Sequence, residues 1–317
     1  MSVECLCAGI LFADYICAPI PRLPAAGELV PTDHITLALG GCAANTGLDL
    51  AKVGVKVGVS GCVGDDAFGE FILRTLQAGC VDTGGVHRLA GVGTASTMVI
   101  NVQGEDRRFI STPGANTRFT VEHIPAAWVR QARVLYVGGY LMMPGLEGDD
   151  FVDLLRTARR AGARTVLDVV LFGRGDYWQT LQRVLPETDV FLPNDDEAAA
   201  ITGLADPLAQ AERFRQAGAG TVVITQGRRG SLLVTDGLRL RAGVYPVDFV
   251  GGTGSGDAFD AGFIAGMLRG EDPAGCLRWG SALGASCVRS ISATESVFTR
   301  EEAEAFLAQH ELPLERV

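Results

Sequence analysis

A run of glycines followed by one carboxylate, Gly251-Gly252-Thr253-Gly254-Ser255-Gly256-Asp257, is the segment of this chain best suited to chemistry. Gly252, Gly254 and Gly256 permit a tight turn and leave backbone N–H groups unobstructed. From Ser255 onward Phe259, Phe263, Ile264, Met267 and Leu268 recur at helical spacing, so a helix begins where the glycines end. Bare amides at a helix N-terminus attract anions, and Asp257, in the first turn, is placed to take a proton from an incoming hydroxyl. An anion cradle beside a general base points to phosphoryl transfer to an alcohol. The structural alternative is a plain turn whose Asp complements the helix dipole.

Two other nucleotide motifs fit less well, and the P-loop is excluded. A dinucleotide fingerprint belongs early in a βαβ unit, whereas this loop lies late in the chain. A P-loop requires Gly-Lys, and the only lysines, Lys52 and Lys56, follow Ala51 and Val55.

Three further clusters carry suitable groups. In Gly40-Gly41-Cys42-Ala43-Ala44-Asn45 the glycines allow close backbone approach, and Asn45 offers a donor and an acceptor to a sugar hydroxyl; a turn leading into a helix has the same composition. Asp14 follows the first strand, where α/β proteins build sites. In Pro193-Asn194-Asp195-Asp196-Glu197 the residues open a helix, and Asn194 and Glu197, three apart, share a face that could order water around Mg²⁺. Thr225-Gln226-Gly227-Arg228-Arg229-Gly230 follows a strand and fits either a nucleotide phosphate or a hairpin turn.

The elements that must position these groups alternate. Strands are expected at 3–12, 56–63, 134–137, 164–169, 189–192 and 221–225, with a possible β-pair at 231–241. Helices are expected at 43–53, 67–79, 147–161, 195–202, 207–217, 255–269, 273–289 and 299–309. This alternation predicts an α/β domain with a parallel sheet covered on both faces. The β-rich pieces at about 14–38 and 94–112, the latter with a hairpin signal at Gln103-Gly104-Glu105, break the alternation; they predict a small inserted sheet able to cover a cleft.

Bulk properties narrow the partners. Against 37 acidic residues stand 27 Lys and Arg, and no basic run exceeds a pair such as Arg107-Arg108, which argues against nucleic acid. The eight cysteines include no C-x-x-C, so free buried thiols in a reducing compartment are expected rather than zinc. No stretch has the length of a membrane span, and Asp14 interrupts the one N-terminal apolar run. A cytoplasmic location is the expectation.

In order along the chain, Gly40–Asn45 continuing through VGDDAFGEFI, Asn194–Glu197, the T-x-G-x-x-G segment at 225–230 and the Gly-rich stretch ending Asp257-Ala258-Phe259-Asp260-Ala261-Gly262-Phe263 resemble the motifs of the ribokinase-like, or PfkB, carbohydrate kinases. The resemblance covers about 5–290. It implies a three-layer αβα sandwich with a mostly parallel central sheet and a small β-sheet lid. It also implies an ATP- and Mg²⁺-dependent kinase for a small sugar or sugar acid. Asp257 would be the general base, and the Gly254, Ser255 and Gly256 amides an anion hole. Asp14, Gly40, Gly41 and Asn45 would hold substrate hydroxyls; Asn194, Thr225 and Gly227 would bind nucleotide, and Glu197 would act on Mg²⁺ through water. Lid strands of the family often pair between subunits, which implies a homodimer.

The chain departs from the family pattern at three positions. Gly251 and Gly252 replace an Asp and a Thr, and that Asp often helps bind a monovalent cation (K⁺); Asp248 is the nearest alternative. Cys42 replaces a lysine, which looks closer to fructokinases and ketodeoxygluconate kinases and favours an unphosphorylated acceptor. Two other functions stay open on sequence: a nucleoside kinase, with Met98, Phe109 and Ile110 as base-stacking candidates, and a non-catalytic sugar sensor.

Overall fold

The computed structural model describes residues 3–105, 108–173 and 175–317. Its strands are β1 (Cys5–Gly9), β2 (Phe12–Cys17), β3 (Ile35–Gly40), β4 (Val57–Gly64), β5 (Asp82–Leu89), β6 (Ser96–Ile100) and β7 (Arg108–Thr112) in the first part of the chain. The rest are β8 (Val134–Gly138), β9 (Arg164–Leu167), β10 (Val190–Phe191), β11 (Thr221–Thr225), β12 (Ser231–Val234), β13 (Arg239–Ala242) and β14 (Leu314–Arg316). The helices are α1 (Cys42–Lys52), α2 (Ala67–Ala78), α3 (Ala126–Gln131), α4 (Asp149–Arg160) and α5 (Tyr177–Leu181). They continue with α6 (Asp195–Thr202), α7 (Pro207–Gln216), α8 (Ser255–Arg269), α9 (Pro273–Cys287) and α10 (Arg300–Gln309).

Ten strands form one sheet in the order β14-β13-β12-β11-β10-β9-β8-β1-β4-β5. From β5 to β11 every pairing is parallel, and β12 to β14 are added antiparallel. Side-chain alternation along the strands explains the layers. Cys5 and Cys7 of β1 and Val134 and Tyr136 of β8 face a core shared with α1, α8 and α9, while Leu6, Ala8, Leu135 and Val137 face the core under α4, α6 and α7. Both faces are therefore buried, as a parallel sheet requires.

The remaining four strands form a separate sheet, β3-β2-β6-β7, closed over a small core of Ile16, Ala38 and Val99. Its position corrects the expected opening strand. The chain leaves the main sheet at Gly9 and enters the small one at Phe12, because the buried Asn116 side chain accepts from Leu11 N–H and donates to Leu11 C=O, both at 3.1 Å. The strand expected at 189–192 shortens to Val190–Phe191. In the expected β-rich piece at 94–112, residues 106 and 107 lie outside the described residues. β3 runs straight into α1 through Gly41, so Asp14 and the Gly40–Asn45 segment meet where the two sheets join.

Candidate active site

Helix α8 opens the way the glycine spacing suggested. Gly254 is its N-cap with φ 78°, and a Cβ there would strike Ala293, so only glycine fits. The Ser255 N–H donates to the Gly252 carbonyl at 3.3 Å, and the first helical bond runs from Ala258 N–H to Gly254 C=O at 2.8 Å. Of the three amides expected to form the cradle, that of Ser255 bonds within the turn, while Gly256 and Asp257 N–H, in the first turn, have no intrahelical acceptor. Gly256 differs from Gly254 in kind. A Cβ on it would meet nothing within 4 Å, so packing does not demand a glycine there, and the residue lines the neighbouring cavity.

Asp257 is gripped from α1. Asn45 Nδ2 donates to its Oδ2 at 2.8 Å, and Thr46 Oγ1 donates to its carbonyl at 3.2 Å. Burial pushes the Asp257 carboxyl above the ordinary carboxylate range, and hydrogen bonds from Asn45 and Cys42 oppose that rise. Cys42, Asp168 and Asp257 bring ligand-type atoms within 4.8 Å of one another. Asp168, directly after β9, was not anticipated from sequence; its Oδ2 accepts from Gly139 N–H at 3.1 Å. A carboxylate directly after an apolar strand was the available signal, the same one that marked Asp14.

Asp14 stands on β2 near Asp257, and burial pushes its pKa to about 7. Gly40 is glycine for a packing reason, since a Cβ would collide with the Asp14 carboxylate, and Gly41 adopts φ 91° against the Ile10 carbonyl. Asp14 Oδ1 and Asn45 Oδ1 are buried acceptors with no hydrogen-bond partner. Such orphans are costly and call for donors.

Beyond the glycine loop lies a cavity of about 750 Å³ whose lining includes Thr225, Gly227, Phe249, Ser255, Gly256 and Gly284. The Arg228 guanidinium sits 5.1 Å over the Phe249 ring at its mouth. Thr225, Gly227, Ser255 and Gly256 were anticipated; the wall from Gly243 to Phe249 and the α9 side were not. Asn194 and Glu197 form a reciprocal cap on α6, Asn194 Oδ1 accepting from Glu197 N–H at 2.8 Å and Glu197 Oε2 from Asn194 N–H at 2.9 Å. An isolated β-bridge between Asn194 and Thr225 brings that cap alongside the cavity. Burial raises the Glu197 carboxyl to about 7.

The loop thus lies between an apolar cavity and a cluster of carboxylates, Asp14, Asp168 and Asp257. Residues 4–300 match the pfkB family carbohydrate kinases, and the chain belongs to that family. It is similar to the 5-dehydro-2-deoxygluconokinase of Clostridium perfringens, with 27% identity over 288 residues, 85% of this chain and 83% of that one. Its fold is that of the ribokinase of Arabidopsis thaliana complexed with ribose and ATP (TM-score 0.85, 23% identity, 97% of this chain and 99% of that one). A putative ribokinase II of E. coli in complex with ATP and Mg²⁺ shares it (TM-score 0.84, 21% identity, 97% and 100%).

Proposed function

We propose that the chain transfers the γ-phosphoryl group of ATP to a hydroxyl of a small sugar or sugar acid, with Asp257 as general base. The observation that carries this is the placement of Asp257 between the open Gly256 amide and two orphaned buried acceptors, Asp14 Oδ1 and Asn45 Oδ1. Acceptor hydroxyls satisfy those two atoms and bring one oxygen to Asp257. As that oxygen bonds to the γ-phosphorus, its proton passes to Asp257, and ADP leaves with the electrons of the broken P–O bond. The Gly256 and Asp257 amides meet the charge on the transferred group, where fixed donors act most strongly. The cavity between Thr225 and Gly284 takes the adenosine part. The small sheet, entered past the clamped Leu11, serves as a lid over the acceptor.

Hard oxygen donors suit Mg²⁺, and the half-buried Glu197 carboxyl beside the nucleotide cavity fits an outer role through water. When bound, Mg²⁺ supplies neutralising charge to the ATP phosphates. Potassium fits poorly. Gly251 offers no carboxylate, Asp248 is exposed, and the Thr253 and Ala293 carbonyls beside the loop lie 3.3 and 3.0 Å from the Cys287 sulfur, whose one hydrogen serves either of them. We therefore assign no step to a monovalent cation.

Met98 and Ile110 do not suit a stacked nucleobase. They pair across β6 and β7 and project on the opposite face from Thr97, whose hydroxyl approaches Asp14. With Ile35 they leave an exposed apolar strip on the outer face, which fits a second copy of the chain and a homodimer through the lid. Free cysteines throughout the described residues suit a reducing, cytoplasmic setting, and no helix there is long and apolar enough to cross a membrane.

The test is ADP release with Mg-ATP across unphosphorylated sugars, sugar acids, phosphosugars and nucleosides. Turnover with an unphosphorylated polyol or sugar acid is expected. Turnover confined to nucleosides, or tight sugar binding with no ADP formed, would overturn the reading.

A further inference from the structure

Behind the base lies a polar chain that transfer chemistry alone does not require. Asp260, one turn after Asp257 on α8, is only 3% exposed. Its Oδ2 is 3.0 Å from the hydroxyl of Tyr136, a fully buried residue of the central strand β8. The Tyr136 hydroxyl is 3.3 Å from Thr46 Oγ1, and Thr46 Oγ1 is 3.2 Å from the Asp257 carbonyl. Four groups in a row therefore make three contacts, ending on the backbone of the base.

Counting protons decides how the row is arranged. Each contact needs one hydrogen between its two oxygens. The Asp257 carbonyl can only accept, and Tyr136 and Thr46 bring one hydroxyl hydrogen each. Two hydrogens cannot serve three contacts: with Asp260 ionised, Tyr136 donates to it and Thr46 faces both the Tyr136 oxygen and the Asp257 carbonyl with one hydrogen. All three contacts are bonded at once only when the third hydrogen comes from the far end. We infer that Asp260 is a neutral carboxylic acid that donates to Tyr136, so that Tyr136 donates to Thr46 and Thr46 to the Asp257 carbonyl, making Asp260 and Tyr136 positioning residues for the catalytic turn. The surroundings favour the neutral form. Burial disfavours an ionised carboxyl at this depth, and the charges acting on it most strongly, from Asp168 after β9, Asp257 on its own helix and Glu197 on α6, are negative.

This arrangement gives the adjacent residues Asn45 and Thr46 complementary tasks, one holding the Asp257 carboxylate and the other its carbonyl. With a directed chain, the first turn of α8, which carries both the base and the open amides, is fixed to the middle of the sheet. An ionised Asp260 would leave Thr46 to choose between two acceptors.

Two measurements test it. The first needs no turnover: the infrared difference between wild type and Asp260→Asn at pH 8 should contain the C=O stretch of a neutral carboxylic acid. Should Asp260→Asn not fold, the wild-type minus Tyr136→Phe difference should show that band displaced. Absence of the band in the first difference, or no displacement in the second, overturns the proposal. The second rests on Asp257 as the base. An amide can donate as the neutral acid does, so Asp260→Asn should keep kcat within about twofold. Asp260→Ala and Tyr136→Phe should each lose about tenfold in kcat at unchanged KM for ATP, the worth of one buried hydrogen bond. Equal loss in Asp260→Asn and Asp260→Ala, or full kcat in all three, contradicts the positioning role. If Asp257→Asn itself keeps full turnover, the base assignment has failed, while the infrared result still stands or falls alone.

Discussion

Replacing Gly256 with alanine separates fold from chemistry more cleanly than any other change at the glycine loop. Gly256 is not among the residues with positive φ, and a Cβ on it meets nothing within 4 Å. It lies in the first turn of a fifteen-residue helix, where alanine is the better helix former and restricts the unfolded chain. Gly256→Ala should therefore gain about 0.4–1 kcal/mol and melt roughly 1–3 °C higher. The added methyl occupies the space in which a phosphoryl oxygen must approach the amide. Loss of one fixed donor to developing charge costs about 10²–10³-fold in kcat. The assay is ADP release at saturating ATP and acceptor, with thermal melting in parallel. A variant that melts as expected and keeps kcat within about threefold would refute an anion site at this amide. Gly254→Ala cannot make the same distinction, because positive φ and Ala293 make it a folding defect first.

Other outcomes follow from the same site. Asp14 has its pKa raised to about 7 by burial, so the folded state holds a proton that the unfolded chain gives up above about pH 4. That penalty is absent below pH 4, grows as pH rises and is complete above 7, so Asp14→Asn should raise the melting temperature at pH 8 and change it little at pH 4. A gain that is the same at both values would contradict the assignment. Potassium should alter kcat by less than about twofold relative to sodium, since the Cys287 thiol already lies against the carbonyls flanking the loop and no carboxylate stands at 251; strong activation would show that the carbonyls rearrange. Met98→Lys with Ile110→Glu should convert a dimer to a monomer in sedimentation, and a wild type that is monomeric at every concentration would rule out the lid interface.

Much of the architecture was legible because the parallel sheet is buried on both faces and its helices are amphipathic, which gives distinct periodicities. The failures have particular causes. β5 carries Gly84 and Gly85, residues that disfavour strands; Trp128 lies over Gly85 and over Gly58 of the neighbouring strand, and a Cβ at either would collide with its ring. Tertiary packing overrode propensity there. The opening strand was read as continuous because its hydrophobic run does not reveal the Asn116 clamp, 105 residues away in the chain. At the site, the glycine loop, Asn45 and the Asn194–Glu197 cap were visible because each is a local pattern. Asp168, Tyr136 and Asp260 were not singled out, since their roles arise only when β8, β9 and α8 converge. The wall from Gly243 to Phe249 has no regular element and no distinctive composition, so nothing local marked it.

The central claim is that Asp257 removes the proton from the acceptor hydroxyl. The most direct measurement is the pH dependence of phosphoryl transfer by wild type and Asp257→Asn on the best acceptor of the panel. The base must be ionised to act, and burial raises its pKa, so wild-type kcat should climb with pH through a midpoint above the usual carboxylate range. Asp257→Asn should lose about 10²–10⁴-fold and with it that midpoint. A variant that keeps most of the wild-type rate and the same pH profile would place the base elsewhere.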